Sequence, residues 1–351
     1  MFNKFFSLFV FTMILSGCVS PSPDISVVCE RDDIGNYILK WETVPQINGI
    51  VKFYVSDDPD HFPKNEPFSL ANISDGKITY ITNDNITRKY FLLSFNDHFY
   101  KKISSRSVTM DNVQNFRDMG GYQTKDQKNI RWGKLFRSGE LSSLNEWDAL
   151  RLNNLEIKTI IDFRTLHETE KAPIRYPKAK IITAPISLGD TNLFFEKIRE
   201  GRLRKGDALI FMQDTYIGFV KQQGKQFAKA LRILLDENNY PVLFNCSLGK
   251  DRTGFFAALV LLALDVPESV ITQDYLITND FLNLKKFEDL VKGLNTEEQE
   301  TITLLLTANE NYIDIALRTI KKDYGTYQKY FQKEMGLTEK EQAKLKEILL
   351  Y

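Results

Sequence analysis

The residues most suited to chemistry stand together in one short segment, residues 245–254, with the sequence NCSLGKDRTG. Within it, Cys246 and Arg252 are six positions apart. A cysteine thiolate is a strong nucleophile, and the planar guanidinium of arginine can bind two phosphate oxygens at once. The pair predicts phosphoryl transfer, in which sulfur attacks phosphorus and water then hydrolyses the phosphocysteine. The alternative is a buried structural cysteine in an ordinary turn, and the complete Cys-x5-Arg-Thr-Gly pattern favours the chemical interpretation.

The flanking residues predict the elements that hold this segment. Residues 240–244 form a short apolar run typical of a buried strand, and residues 255–264 form a longer run typical of a buried helix. A turn from a strand into a helix N-terminus presents backbone N–H groups and the positive end of the helix dipole to an anion. We expect the other residues of the turn to bind the substrate phosphate: Ser247, Leu248, Gly249, Lys250, Thr253 and Gly254.

Cleavage of a phosphate ester also needs a proton for the departing oxygen. Asp251 stands beside Arg252 and is the preferred candidate for this general acid. Asp190 and Asp162, near the ends of two predicted strands, are the other candidates. An ion pair that only holds the turn is an equally good interpretation of Asp251. Because lysine and arginine supply the positive charge, the predicted chemistry requires no metal and no cofactor.

Three further motifs precede the cysteine segment: NFRDMGG at residues 115–121, LFRS at 135–138 and TIIDFR at 159–164. Together with the cysteine segment they resemble the cysteine-dependent protein tyrosine phosphatases. The GKDRTG ending resembles the bacterial branch that acts on phosphotyrosine, phosphoserine/threonine and phosphoinositides. The resemblance extends from about residue 110 to the last residue. It implies an α/β catalytic domain at 109–351, with a mainly parallel central sheet flanked by helices.

The resemblance also implies a set of supporting residues around the phosphate site, most of which are expected to brace its loops: Asn245, Asp162, Arg164, Asp190 and Arg137. One position departs from the family, because a histidine usually precedes the nucleophile and this chain has Asn245. Asparagine donates hydrogen bonds but cannot carry a charge. As a whole, the resemblance implies a protein-tyrosine-phosphatase-type hydrolase acting on a phosphorylated protein or phosphoinositide. The alternative is a catalytically weak or inactive lipoprotein that binds phosphate or phosphoinositides.

The N-terminal residues predict export. Lys4 precedes the apolar run 5–15, and Leu-Ser-Gly leads into Cys18. This order is typical of a secretory signal, and the run is short for a membrane span. Its end resembles a bacterial lipobox, so we expect a lipoprotein signal peptide at 1–17, a lipid on Cys18 and a tether at 18–23. The expected location is the bacterial cell envelope, lipid-anchored and facing the periplasm or the surface. A plain signal peptide or a short anchor is the alternative.

Residues 24–108 predict a separate all-β domain. Short runs of β-forming residues alternate with turn-forming residues, a spacing typical of a small β-sandwich, and the pattern resembles fibronectin type III. We expect a spacer or interaction module there, with an unknown partner. The whole chain carries 46 basic and 46 acidic residues, so its net charge does not indicate nucleic acid. Its three histidines form no recognisable zinc motif.

Overall fold

The computed structural model describes residues 22–32, 34–189 and 191–351. The expected signal peptide, the lipidated Cys18, most of the tether and Asp190 lie outside those residues. Within them, no helix combines the length and the apolar character that a membrane crossing requires. The described chain is a mixed α/β fold, in which seven N-terminal strands precede a sheet flanked by helices.

The N-terminal strands form two antiparallel sheets that share one apolar core. The strands are β1 (Asp24–Arg31), β2 (Tyr37–Val44), β3 (Ile50–Ser56), β4 (Ser69–Asn72), β5 (Lys77–Tyr80), β6 (Tyr90–Phe95) and β7 (Phe99–Ser104), with a short 3₁₀ helix at Ile73–Asp75. One sheet has the order β1-β2-β5, and the other has the order β4-β3-β6-β7. Trp41 of the first sheet meets Phe53 of the second, with ring centroids 5.3 Å apart. The aromatic residues of this region therefore form its core, as their alternation in the sequence predicts.

A five-stranded sheet follows. Its strands are β8 (Arg117–Asp118), β9 (Leu135–Ser138), β10 (Thr159–Asp162), β11 (Lys180–Thr183) and β12 (Val242–Asn245), in the spatial order β11-β10-β12-β9-β8. Strands β11, β10, β12 and β9 are parallel, and β8 runs antiparallel to β9, so the sheet is mixed. Strand β12 lies in the middle, and all of its residues are buried, as expected for a strand covered on both faces.

Helices surround this sheet and contribute most of its core. The α-helices of the described residues are α1 (Glu146–Asn154), α2 (Leu166–Lys171), α3 (Thr191–Arg199), α4 (Lys205–Gln222), α5 (Gly224–Ile233), α6 (Asp251–Ala263), α7 (Glu268–Leu276), α8 (Thr278–Phe281), α9 (Glu288–Val291), α10 (Thr296–Leu306), α11 (Glu310–Tyr324), α12 (Tyr327–Lys333) and α13 (Glu339–Leu349). Shorter 3₁₀ helices lie at Glu237–Asn239 and Leu284–Phe287. Every residue of α6 is buried, which makes it the central helix of the fold.

The apolar positions of residues 216–236 follow a helical period and predict one helix there. The chain instead forms α4 and α5, which are separated at Gln223. The reason is visible at Gly224, where a Cβ atom would lie 2.8 Å from Cγ of Glu334. A larger residue would require the side chain of Glu334 to move, and glycine is a poor helix former, so Gly224 favours a break between the two helices.

A buried charged contact joins the N-terminal sheets to the rest of the chain. The guanidinium of Arg88 lies 3.1 Å from the carboxylate of Asp118, and their side chains are 7% and 0% exposed. Asp118 also accepts the backbone N–H groups of Gly120 and Gly133, and Arg88 lies over the ring of Trp132. A flexible spacer would leave both charges in water, so this contact indicates a fixed arrangement of the N-terminal sheets on the second part.

Arg88→Met should lower the free energy of unfolding by about 3–5 kcal/mol, because it leaves Asp118 as a buried charge without its ionic partner. Lys40→Met is the matched control. Lys40 pairs with Glu30 at the surface, where both side chains are about half exposed, and such pairs contribute only about 0–1 kcal/mol. Urea denaturation of the two variants measures the difference. Equal stability would contradict the proposed importance of the buried contact.

Candidate active site

The cysteine turn lies where the sequence predicts it, between β12 and α6. Strand β12 ends at Asn245 and α6 begins at Asp251. Gly249 adopts a φ of +69°, and a Cβ atom there would collide with the carbonyl oxygen of Ser138. Only glycine accepts both conditions, so the glycine in the middle of the turn is a requirement of the tight backbone path.

Three successive carbonyl groups of the turn are held by its surroundings. Each accepts a hydrogen bond from a neighbouring segment: Ser247 from the backbone N–H of Glu140 (3.0 Å), Leu248 from the side-chain amide of Asn115 (3.0 Å) and Gly249 from the guanidinium of Arg137 (2.8 Å). In a trans peptide the N–H points opposite to the C=O. The N–H groups of residues 248–250 therefore point the other way, and no described residue accepts a hydrogen bond from them. Unpaired N–H groups at a helix N-terminus are suited to an anion.

The turn lines a cavity of about 220 Å³. Cys246, Arg252 and Asp251 all contribute to its lining, and Cys246 is only 2% exposed. The structure thus brings the predicted nucleophile, the predicted phosphate-binding guanidinium and the preferred acid to one concave site. Among the described residues, no group of three or more His, Cys, Asp or Glu side chains is arranged to hold a metal ion.

The carboxylate of Glu168 binds the two terminal nitrogens of the Arg252 guanidinium. Arg252 Nη1 donates to Oε2 at 2.7 Å and Nη2 donates to Oε1 at 2.9 Å. The hydroxyl of Ser247 donates to the same carboxylate at 2.5 Å. Burial alone would raise the pKa of Glu168, but the hydrogen bonds and charge of Arg252, with the Ser247 hydroxyl, hold that pKa well below its usual range. The carboxylate is therefore ionised at neutral pH and fixes the plane of the guanidinium.

One donor of Arg252 is not used by the protein. Its Nε is buried and has no hydrogen-bond partner among the described residues. Burial alone would lower the pKa of Arg252, but the hydrogen bonds and charge of Glu168, together with the neighbouring Cys246, raise it above its usual value, so the guanidinium remains charged. An unpaired buried N–H costs about 1–3 kcal/mol. A phosphate oxygen at Cys246 would supply the missing acceptor.

Glu168 is the functional residue that the sequence did not reveal. Its one local signal is the capping box of α2, in which Thr165 is the N-cap and Glu168 follows three residues later. The carboxylate accepts the Thr165 backbone N–H at 2.7 Å and binds Arg252 as well. A capping box identifies the start of a helix, but it cannot identify a partner 84 residues further along the chain.

Asp162, Arg164 and Asn245 form a buried group beside the cavity, and none of them lines it. Arg164 Nη2 donates to Asp162 Oδ2 at 2.8 Å, and the Asn245 amide lies 3.4 Å from Asp162 Oδ1. This arrangement ties the ends of β10 and β12 together, which is the bracing role that the sequence favours. Asp162 is not placed to protonate a substrate in the cavity, and Asp190 lies outside the described residues.

Arg137 braces the turn from the other side. Its Nη2 holds the Gly249 carbonyl, and its Nη1 lies 2.6 Å from Asp274. Burial alone would raise the pKa of Asp274, but the charges of Arg137 and Arg117 lower it to about 2. Asp274 is therefore ionised and buried, and it holds Arg137 in place. Arg137 in turn holds the cysteine turn.

The side chain of Lys250, which the sequence predicts to add positive charge to the phosphate site, does not line the cavity. Its ammonium is fully buried, 2.9 Å from Asp251 Oδ1 and 5.5 Å from the ring centre of Tyr312. Lys250 is the N-cap of α6, and its backbone there (φ −94°, ψ −66°) is compatible with a side chain that runs beneath the turn to α11. Its backbone N–H, in contrast, remains part of the turn.

Some of the other predicted phosphate-binding residues line the cavity, and the rest lie in the packed structure beneath it. Ser247 and Leu248 line the cavity. Thr253 is fully buried, and its hydroxyl has no hydrogen-bond partner among the described residues. Gly254 lies against the ring of Tyr275, where a Cβ atom would approach to 3.0 Å. Thr253 and Gly254 therefore belong to the packed first turn of α6 rather than to the cavity wall.

Apolar side chains form the upper walls of the cavity. Phe194 of α3 and Phe211 of α4 stack with ring centroids 4.2 Å apart. The remaining apolar residues of the wall are Leu188, Met212, Leu248, Leu290, Leu305 and Leu306. The mixed charged and aromatic sequence of residues 192–214 is compatible with a lid over the site or with a plain surface helix. The segment contributes to α3 and α4, and Phe194 and Phe211 line the cavity.

Comparison with known proteins identifies the family. Residues 108–351 match the tyrosine phosphatase family. The chain belongs to this family. It is a hydrolase of the protein-tyrosine-phosphatase type, and its substrate is phosphorylated.

Relatives of this tyrosine phosphatase occur in several bacteria. The triple specificity protein phosphatase PtpB of Mycobacterium tuberculosis is 28% identical over 276 residues, which cover 67% of this chain and 96% of PtpB. A protein predicted to be a tyrosine-protein phosphatase in Cupriavidus necator is 28% identical over 230 residues, 64% of this chain and 82% of that protein. Among solved structures, TpbA of P. aeruginosa is 16% identical over 53% of this chain and 97% of TpbA, with a TM-score of 0.25.

Asn245→His should move the acidic limb of the kcat/KM profile of this tyrosine phosphatase to lower pH. Asn245 is fully buried beside Asp162, whose carboxylate would favour an imidazolium there. A positive charge next to Cys246 then favours the thiolate at lower pH. Steady-state rates on an aryl phosphate across the acid range measure the change. Asn245→Ser, which changes the amide without adding charge, is the control, and identical limbs in the two variants would contradict the prediction.

Proposed function

We propose that this tyrosine phosphatase hydrolyses phosphate monoesters through a phosphocysteine intermediate. In the first step the Cys246 sulfur bonds to phosphorus, the ester P–O bond breaks, and Asp251 gives its proton to the departing oxygen. In the second step water attacks phosphorus and returns a proton to Asp251. The S–P bond breaks, which releases inorganic phosphate and the thiolate.

The observation that carries the proposal is the orientation of the peptide groups at 247–250. Their carbonyls are held outward by Glu140, Asn115 and Arg137, so their N–H groups point to the side of the turn that Cys246 and Arg252 share. Such preorganised donors stabilise the negative charge on the phosphoryl oxygens in the transition state. The buried, charged guanidinium with a free Nε adds a further donor to the same group.

Phosphotyrosine is the substrate class that this cavity favours. The stacked rings of Phe194 and Phe211, with the leucines around them, suit a flat aromatic leaving group. Because the Lys250 side chain is turned away, the cavity lacks the additional cation that a polyphosphorylated ring would use. Phosphoserine, phosphothreonine and phosphoinositides are secondary candidates, in line with the triple specificity named for PtpB. An inactive phosphate-binding protein is not favoured, because nucleophile and oxyanion donors are both present.

Trapping of the intermediate tests this function. Denaturation during turnover of a radiolabelled phosphotyrosine peptide should leave labelled phosphate on the protein. The label should be absent from Cys246→Ser and present on Cys29→Ser, which changes a buried cysteine of the N-terminal sheets. Turnover by the natural protein without any trapped label would reject the phosphocysteine. A panel of phosphotyrosine, phosphoserine, phosphothreonine and phosphoinositide substrates would then rank the substrate classes.

We also infer that the enzyme is a lipid-anchored protein of the bacterial envelope, with the N-terminal sheets as a fibronectin-type module for a further partner. The motif at Cys18 supports the anchor, since its apolar run is followed by the small residues of a lipobox. Growth of cells expressing the full chain with radiolabelled palmitate should label the natural protein. Cys18→Ser should remove the label, whereas Cys29→Ser should retain it. An unlabelled natural protein would reject the anchor.

A further inference from the structure

A buried group of three tyrosines lies behind the cavity, next to the candidate general acid Asp251. Tyr216 of α4, Tyr275 of α7 and Tyr312 of α11 have almost no exposed surface. The hydroxyl of Tyr216 lies 3.0 Å from Asp251 Oδ1 and 2.8 Å from the hydroxyl of Tyr275. None of these tyrosines lines the cavity, so none is placed to touch a substrate directly.

The hydroxyl of Tyr216 can donate to the carboxylate of Asp251. Each tyrosine hydroxyl carries one proton, and an ionised carboxylate can only accept. The Tyr216 hydroxyl is within donating distance of both Asp251 Oδ1 and the Tyr275 oxygen, and its single proton can serve only one of them at a time. When that proton serves the carboxylate, the Tyr275 hydroxyl is free to donate to Tyr216, while its oxygen accepts the backbone N–H of Asn309. Burial and the nearby charge of Asp251 raise the pKa of Tyr216 well above its usual value, so its hydroxyl stays protonated and remains a donor.

The two oxygens of Asp251 are consequently in different environments. Oδ1 receives the hydroxyl of Tyr216 and lies 2.9 Å from the Lys250 ammonium. Oδ2 makes no hydrogen bond with a described residue, and Asp251 lines the cavity. With Oδ1 surrounded by donors, a proton taken up by this carboxyl group must reside on Oδ2.

We propose that Tyr216 is a positioning residue, which occupies Oδ1 of Asp251 and so directs the proton-carrying Oδ2 at the leaving oxygen of the substrate. This inference rests on the proposed function of Asp251 as the general acid. The Oδ2 proton moves to the leaving oxygen as the P–O bond breaks and the S–P bond forms. A proton from water returns to Oδ2 when the intermediate is hydrolysed. Tyr216 keeps its own proton in both steps.

Comparison of two leaving groups separates positioning from simple packing. Phenolate is a poorer leaving group than para-nitrophenolate, so phenyl phosphate depends more on proton donation than para-nitrophenyl phosphate does. Tyr216→Phe keeps the ring but removes the hydroxyl. We compare kcat/KM, because it reports only the steps up to formation of the phosphocysteine, whereas its hydrolysis is the same for both esters. We expect kcat/KM on phenyl phosphate to fall about tenfold or more, with less than about a twofold change on para-nitrophenyl phosphate.

Tyr312→Phe is the matched control. It also removes a buried phenol next to Lys250, but that hydroxyl donates to the carbonyl of Leu304, not to Asp251. We expect this variant to change the rates on both esters by the same small factor. Thermal unfolding of both variants shows whether either has lost the fold.

The possible outcomes are distinct. Equal losses on the two esters in Tyr216→Phe, or no loss on either, would overturn the positioning role while leaving the phosphocysteine mechanism intact. An ester-dependent loss that Tyr312→Phe reproduces would also overturn it. If the natural protein hydrolyses neither ester, or if Cys246→Ser remains fully active, the proposed function itself fails and this inference fails with it.

Discussion

Cys246→Ser should abolish turnover of para-nitrophenyl phosphate, with a loss of at least about 10⁴-fold in kcat. Serine has nearly the same shape, but its hydroxyl is a much weaker nucleophile than a thiolate unless a base activates it. Cys246 is enclosed at the bottom of the cavity with Arg252, so its sulfur is the atom that the turn presents to phosphorus. Steady-state kinetics at saturating substrate measures the loss.

Two measurements separate lost chemistry from lost folding in that variant. Inorganic phosphate should still bind Cys246→Ser in calorimetry, because Arg252 and the backbone N–H groups at 248–250 are unchanged. Cys29→Ser, a change at a buried cysteine in the N-terminal sheets, should leave kcat within about twofold, since that site is remote from the chemistry. Undiminished turnover in Cys246→Ser would reject this cysteine as the nucleophile.

The cysteine turn could be predicted because its information is local. The apolar run at 240–244, the turn and the apolar run at 255–264 form one continuous pattern, and β12 and α6 follow it closely. The last helix is a second example. Glu341 follows Thr338 by three residues, a spacing typical of a capping box, and the structure has both residues in these roles at the start of α13.

Short strands could not be predicted in the same way. Strand β4 has the sequence SLAN and alternates between half-buried and exposed, and β8 contains only two residues. Neither has a run of β-forming side chains. Each is a strand because a longer neighbour, β3 or β9, supplies its hydrogen-bond partner. Whether such a short segment forms a strand depends on pairing with a segment distant in the sequence, which the β propensity of its own residues does not reveal.

The direction in which a buried side chain points could not be predicted from the sequence either. The sequence shows that Lys250 carries a positive charge beside a phosphate-binding turn, and an anion contact was the natural interpretation. Asp251 and the ring of Tyr312 instead hold the ammonium beneath the turn, and Tyr312 is 62 residues away in the sequence. The Arg88–Asp118 contact likewise joins the loop before β6 to strand β8, two segments that no local pattern relates.

Glu168→Gln should reduce kcat/KM for an aryl phosphate by about 10²-fold, the order expected when a catalytic group is misplaced by about 1 Å. Glu168 accepts from both Nη atoms of Arg252 and fixes the guanidinium plane. A glutamine amide has one acceptor oxygen, and its NH₂ would face a donor. One of the two bonds must then be lost, and Nε would no longer be held toward the cavity. Kinetics and the inhibition constant of inorganic phosphate measure the change.

Glu140→Gln is the matched control for this change. Glu140 also approaches a buried guanidinium, 3.4 Å from Arg164 Nη1, but it does not contact Arg252. We expect less than about a twofold effect, because this pair is partly exposed. If Glu168→Gln instead bound phosphate more tightly with undiminished kcat/KM, Glu168 would compete with the substrate for Arg252. The geometry favours the first outcome, since the carboxylate occupies only the Nη atoms and a phosphate oxygen can reach Nε without displacing it.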